Sequence, residues 1–373
     1  MRHLSVVAAA AAAAIALGAC GGDDNGGGGS AASGGGGDKP YKIVMSNGFV
    51  SQWRTQMQNV AEVMSKENEP YKGNVDFDVV VSETSPTAQI QSLNNIIAEH
   101  PDAILINALS PTALDPVVRK ACAQDIVVIY FDQVGGEKCA YRLTNDYEDL
   151  FTNNAEWLAK TLNGKGRIIQ DLGLPGSPVS QAGTAAAEKV FSKYPGIEVV
   201  ARYEGNYTPG PTKQAVTNIV TSNQNIDGVY GIAGVDGAVQ AFEETNTPMV
   251  PMTNFGDTSV RLNKLIQKEK PNGLDFSMAE NAPTLGGQAL HLAWRVLEGQ
   301  DPIDSEWGFT QGGDEKEIFI PRVAYNTNGV ESQVEGLTVK PFEDLLKLGK
   351  GLPDIALIPY SLPQSPVPPD KVI

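Results

Sequence analysis

Histidine is almost missing from this sequence. Only His3, His100 and His291 occur, with no metal-ligand spacing, so no metal site is expected. The chain also lacks a P-loop, since "NGKGR" has no second half, and "GIAGVDG" is not the G-x-G-x-x-G of a dinucleotide site. No nucleophile-elbow pattern is present. No catalytic residue and no cofactor are therefore assigned. A carboxylate-pair hydrolase is the one enzyme class left open by the residue inventory, because acids are plentiful. Basic residues are in deficit: 28 Lys and Arg against 44 Asp and Glu give a net charge of −16. Such a chain repels phosphates, which excludes nucleic acid as a partner. Beyond the N-terminus no stretch approaches 18 consecutive apolar residues, so no membrane-spanning helix is expected.

Cysteine is equally sparse, and each one has a reading. "MRHLSVVAAAAAAAIALGAC" has a basic start, an apolar run and small residues before Cys20. Residues 1–19 read as a secretory signal, and Leu17-Gly18-Ala19-Cys20 resembles a bacterial lipobox in which Cys20 is lipidated. Residues 20–40 follow as a Gly-rich tether that cannot bury anything. About 20 such residues span on the order of 25 Å, a stand-off from a membrane surface. The expected location is thus the cell membrane, lipid-anchored and extracytoplasmic. That compartment permits disulfides. Cys122 lies on the apolar face of "PTALDPVVRKACA", and Cys139 follows the next strand and a Gly-Gly turn. A Cys122–Cys139 bridge is expected, the alternative being two separate thiols.

Short apolar runs alternate with amphipathic stretches. "YKIVM", "VDFDVVV", "DAILIN" and "IVVIYF" read as strands separated by helices, the last of them closing a first βαβαβαβ unit. The pattern restarts with a helix from about Asn145 and continues to a helix ending at Leu297. Two such units imply an α/β fold of two doubly wound parallel-sheet lobes. The expected division is 41–145 plus about 281–318 for lobe one, 146–280 plus about 319–345 for lobe two, and an extended tail over 346–373. "KEIFIPRVAYN" reads as one strand returning to a domain.

Ligands of open α/β sheets sit outside the carboxyl ends of the strands. Asn47, Trp53 and Arg54 follow the first strand, Glu83 the second, and Asp132 and Gln133 the fourth. In the second unit Gln181, Tyr207, Asp236, Asn254, Asp257 and Glu280 hold comparable places. A polar residue after a strand can equally be a helix cap or a turn residue, and Trp53 can equally be a core anchor.

Several stretches, "SPTAQIQSLNNIIAEHPDAILINALSPTALDPVVRKA", "IVVIYFDQ", "NDYEDLFTNNAEWLA", "GKGRIIQDLGLPGSPVSQAG" and "KYPGIEVVARYEGNYT", together resemble bacterial solute-binding proteins of the ribose/galactose-binding class, with the type I periplasmic fold. The resemblance covers about residues 41–300. It implies two lobes joined by a three-crossing hinge that close around a sugar. It implies delivery to an ABC permease with its ATPase by a protein acting as a monomer. Trp53 and Arg54 match the place where the family stacks a sugar ring. Asp132 matches a sugar-binding aspartate, Tyr207 a stacking aromatic. Departures are also plain. Gln133 stands where the family has arginine. A second expected arginine is Gly183, with Gln181 near it. Ala233-Gly234 replaces Asn-Asp and leaves Asp236, Phe255-Gly256-Asp257 replaces Phe-Asp-Gly and leaves Asn254 or Asp257, and Glu280 replaces glutamine. Two arginines lost and an acid gained favour a polyol, a modified sugar or a cationic solute over an anionic one. A ligand-sensing module for a membrane receptor or kinase, or a surface carbohydrate hydrolase, is the alternative function.

Overall fold

The computed structural model describes residues 39–332, apart from 49–51, 223–224, 257–259, 322 and 327–328. The signal, the tether, Cys20, Asp257 and the C-terminal tail lie outside the described residues. The chain runs β1 (Tyr41–Asn47), α1 (Gln52–Glu67), β2 (Val75–Val81), α2 (Pro86–Ala98), β3 (Ala103–Asn107), α3 (Pro111–Cys122), β4 (Val127–Phe131) and β5 (Tyr141–Thr144). It continues with α4 (Tyr147–Thr161), β6 (Lys165–Asp171), α5 (Pro178–Phe191), β7 (Gly196–Tyr203), α6 (Pro209–Ser222), β8 (Gly228–Tyr230), α7 (Val235–Glu244), β9 (Met252–Gly256), α8 (Val260–Glu269) and β10 (Phe276–Glu280). The last elements are α9 (Leu285–Leu297), β11 (Thr310–Gln311), β12 (Glu317–Phe319), β13 (Val323–Asn326) and β14 (Gly329–Ser332).

Two seven-stranded sheets result, ordered β11-β12-β5-β4-β3-β1-β2 and β14-β13-β10-β9-β8-β6-β7. Their first five strands are parallel in each case. Central strands are buried on both faces, so β3 reads "AILIN" with every residue buried. The edge strand β2, "VDFDVVV", begins with the alternation that a half-exposed strand needs. Helices start where the sequence supplies caps. Ser85 accepts the Ala88 amide at 3.1 Å ahead of Pro86, and Asp146 accepts that of Asp149 at 3.0 Å.

Two expectations are corrected here. "IVVIYF" does not close the first sheet, because "YRLT" adds β5 beside β4. "KEIFIPRVAYN" is not one strand. It joins the first sheet as β12, through Glu317↔Arg142, and the second as β13, through Ala279↔Ala324. Pro321 stands between them; it has no amide to donate and forbids a continuous ladder there. The chain therefore passes between the sheets three times, after β5, after β10 and after β12.

Each sheet carries a core on both faces. In lobe one, Met57, Val60 and Met64 of α1 pack with Leu285, Ala289 and Leu292 of α9. A Cβ on Gly286 would lie 2.1 Å from the Met57 carbonyl oxygen, so only glycine lets these helices approach. On the opposite face, Cys122 and Cys139 are joined in a disulfide with Cα atoms 6.2 Å apart. Closing that loop stabilises by about 3 kcal/mol in the chain-entropy view.

The core beneath α9 holds a buried polar chain. The Tyr71 hydroxyl lies 2.6 Å from His291 Nδ1, His291 Nε2 lies 2.9 Å from Asp304 Oδ2, and Arg295 donates to the same oxygen at 2.8 Å. Trp307 stacks on the imidazole at 3.8 Å. Burial drives His291 down to about 4, although Asp304 favours the charged ring. Neutral His291 thus accepts from Tyr71 and donates to Asp304. The unfolded chain takes up this proton below about 6.5 and the folded chain only below about 4, so stability falls as pH drops through that window. We expect a loss on the order of 3 kcal/mol between those limits. Urea titrations across the range should show a slope in wild type that His291→Gln flattens; equal slopes would contradict the assignment.

Candidate functional site

In both sheets the strand order reverses at the first strand. β1 lies between β2 and β3, and β6 lies between β7 and β8. The crevice outside the strand ends at such a switch point is where open α/β sheets bind ligands. In lobe one the strands flanking it end in Asn47 and Asn107, which are ladder neighbours. Both side chains are fully buried. Asn47 Nδ2 and both side-chain polar atoms of Asn107 have no hydrogen-bond partner among the described residues. Buried amides are seldom left so unless a ligand or water serves them. Asn107 was not among the sequence candidates, which named residues after strands one, two and four and passed over the last residue of "DAILIN".

Arg54, in the first turn of α1, is buried and donates to Asn47 Oδ1 at 2.7 Å and to the Asn107 carbonyl at 3.4 Å. Burial lowers its guanidinium to about 10 while Asp132 opposes the shift, so it stays cationic. Asp132 is itself buried, and burial raises its carboxyl against the pull of Arg54 and Asn281. Asn281 Nδ2 donates to its Oδ1 at 3.1 Å, and the Tyr147 hydroxyl donates to its backbone carbonyl at 3.3 Å. Trp53 is half-buried against the lobe-one core, its ring fixed by a 2.8 Å bond from Nε1 to the Asn281 carbonyl. Gln133 is half-buried beside Asp132, whereas Glu83 is exposed after the edge strand β2.

Lobe two presents Tyr207. Its hydroxyl donates to Ser177 Oγ at 2.7 Å and meets Ser180 Oγ at 2.5 Å. Burial raises its phenol, the bonds to Ser177 and Ser180 oppose that shift, and the charges of Asp171 and Asp132 add to it. Backbone strain marks the same place. Of seven non-glycine residues with positive φ among the described residues, His100, Asp125, Asn163 and Asn246 follow helix ends. The other three, Asp132, Asn206 and Tyr207, follow strands. Such conformations gather at ligand sites, where the surrounding structure holds them.

The β6/β8 switch point is organised by a residue hidden inside "RIIQDLG". Asp171 is fully buried and accepts four backbone amides: Gly173 at 2.8 Å, Gly205 at 2.9 Å, and Ile232 and Ala233 at 3.4 Å. Burial raises its carboxyl and these amides pull it back. One side chain thus ties together the loops after β6, β7 and β8. Nothing in its strand-like surroundings signals this role.

The remaining candidates are more scattered. Asp236, in the first turn of α7, is buried and ion-paired with Arg261 at 2.6 Å. Asn254 is buried on β9, where its carbonyl accepts from Asn154 at 2.7 Å and its Oδ1 has no partner among the described residues. Glu280 is the buried last residue of β10. Gln181 is exposed on α5 and lines a concavity of about 430 Å³ with Glu188 and Glu204, formed by lobe-two residues alone. Among the described residues no His, Cys, Asp and Glu cluster could hold a metal ion.

Replacing Asp171 tests the clamp. In Asp171→Asn an amide group replaces one acceptor oxygen and faces backbone N–H groups. A destabilisation of about 1–3 kcal/mol is expected, read as a lower urea midpoint with unchanged slope. An unchanged midpoint would mean that the clamp is dispensable.

A family model described as a periplasmic binding protein domain matches residues 43–301. The galactofuranose-binding protein YtfQ of Escherichia coli K12 is 24% identical over 253 residues, 65% of this chain and 77% of that protein. A periplasmic ribose ABC transporter structure from Conexibacter woesei aligns at a TM-score of 0.65 and 21% identity, over 79% of this chain and 95% of the other. An ABC transporter solute-binding protein from Thermobispora bispora aligns at 0.64 and 25% identity, over 87% and 99%. With the family model spanning most of the sequence and two α/β lobes built as described, the chain belongs to the periplasmic binding protein family.

Proposed function

We propose that this protein is an extracytoplasmic solute-binding lipoprotein of an ABC importer, which takes a small sugar or polyol between its lobes and closes on it by hinge motion. The observation that carries the reading is the grouping of buried Arg54 and Asp132 with the half-buried Trp53 on one lobe, with strained Tyr207 on the other lobe within reach of the Asp132 charge. The C–H face of a sugar suits an indole, and its hydroxyls suit a guanidinium and a carboxylate. Asn47 Nδ2 and both side-chain polar atoms of Asn107, unserved among the described residues, lie at the floor. The names of the relatives agree, being those of a galactofuranose-binding protein and of ABC transport components. Asp132 and Glu280 against Arg54 make an anionic solute a poor fit, so a neutral polyhydroxylated or a cationic ligand is favoured. Binding and handover, not bond-breaking, are the work proposed. The lipobox-like residues before Cys20 support anchoring at a membrane, with the protein monomeric so that both lobes are open to the permease. Fatty-acid labelling that survives Cys20→Ser would contradict the anchor.

Calorimetry with D-ribose, L-arabinose, D-galactose and myo-inositol tests the reading. At least one is expected to bind. Trp53→Ala should weaken that binding by about 2–4 kcal/mol, and Asp132→Asn by roughly 1.5–3 kcal/mol. Wild-type affinity in both variants would place the ligand elsewhere.

A further inference from the structure

Asn281 follows β10, in the second passage between the lobes, and every polar group it owns is engaged. Its amide donates to the Gly256 carbonyl at 2.5 Å, extending the β9–β10 ladder by one bond. That fixes its backbone to the lobe-two sheet. Its carbonyl accepts from Trp53 Nε1 at 2.8 Å, and its Nδ2 donates to Asp132 Oδ1 at 3.1 Å, both on lobe one. Its Oδ1 accepts from Asn145 Nδ2 at 2.8 Å, and Asn145 lies in the first passage. The residue is nearly buried, so water competes weakly for these bonds.

We propose that Asn281 is the positioning residue of the hinge: it couples Trp53 and Asp132 to the lobe-two sheet, so that a solute bearing on either residue acts on the angle between the lobes. This rests on the binding reading above. A mere structural linker would need only the backbone bond to Gly256 and the bond to Asn145. The two bonds to lobe one reach the indole and the carboxylate that the binding reading uses. A solute hydroxyl that draws on Asp132, or a ring that settles on Trp53, must shift a bond held by Asn281. Hinges are formed by a few residues at element ends that absorb the change in backbone angle, and Asn281 is placed at such an end.

The test does not need a known ligand. In Asn281→Asp the donor to Asp132 becomes a carboxylate, two acids face each other, and the bond from Asn145 is retained. Small-angle X-ray scattering of the full-length, sugar-free protein should give a larger radius of gyration than wild type. The reciprocal exchange, Asn281→Asp with Asp132→Asn, restores a donor–acceptor pair in the opposite sense and should return the wild-type value. If a sugar of the calorimetric panel binds wild type, Asn281→Asp alone should weaken it roughly 10- to 100-fold, the worth of one charge-assisted hydrogen bond. If none binds, the sugar reading fails, while the sugar-free scattering still decides the hinge. Identical scattering of wild type and the single variant would overturn the proposal. Should the single variant fail to fold, a folded exchange variant with wild-type scattering supports the proposal, and an exchange variant that also fails overturns it.

Discussion

The arrangement turns on how a buried carboxylate is served at the end of a parallel strand. Burial costs such a group several kcal/mol unless donors reach it. Lobe two meets the cost in full: four backbone amides converge on Asp171. Its capacity is spent on holding three loops, and it acts as architecture. Lobe one serves Asp132 differently, with the side chains of Asn281 and Tyr147 and the charge of Arg54, and no backbone amide donates to its carboxylate among the described residues. The first carboxylate is finished by the protein. The second has fewer donors, and the same lobe holds the Trp53 indole and, among the described residues, the unserved Nδ2 of Asn47 and side chain of Asn107.

Close packing behind the site makes this placement stable. Glycine at 286 brings α9 against α1, which sets Trp53 and Arg54 at the mouth of the β1/β3 switch point and lets the indole reach Asn281. Lobe two repeats the device. A Cβ on Gly237 would lie 2.0 Å from the Pro209 carbonyl oxygen, so α7 sits directly on the start of α6, next to the strained Asn206 and Tyr207. Helices that close leave little freedom within either lobe.

Much of the fold was legible because a parallel sheet covered on both faces writes itself as apolar runs between amphipathic helices. Reading failed where that code is interrupted. "YRLT" is too short and too polar to announce β5, and the apolar run through Pro321 hides a change of sheet. The strand-end rule pointed to Asn47, Arg54 and Asp132, which the structure gathers around one crevice, and to Glu83 and Gln181, which it leaves exposed. Asn107, the last residue of β3, fits the same rule. Asp171 and Asn281 escaped for a physical reason. Their importance lies in bonds to residues 34 to 62 positions away in one case and as many as 228 in the other, and no local pattern records such partners.

The central claim is that one small solute sits between the two lobes, held from both sides. A crystal structure grown with the tightest-binding sugar of the calorimetric panel tests it most directly. The account predicts the solute between Trp53, Arg54 and Asp132 on one side and Tyr207 on the other, with its hydroxyls on the amides of Asn47 or Asn107. Solute lying instead in the α5 concavity by Gln181, Glu188 and Glu204, with the crevice between the lobes holding only water, would contradict it.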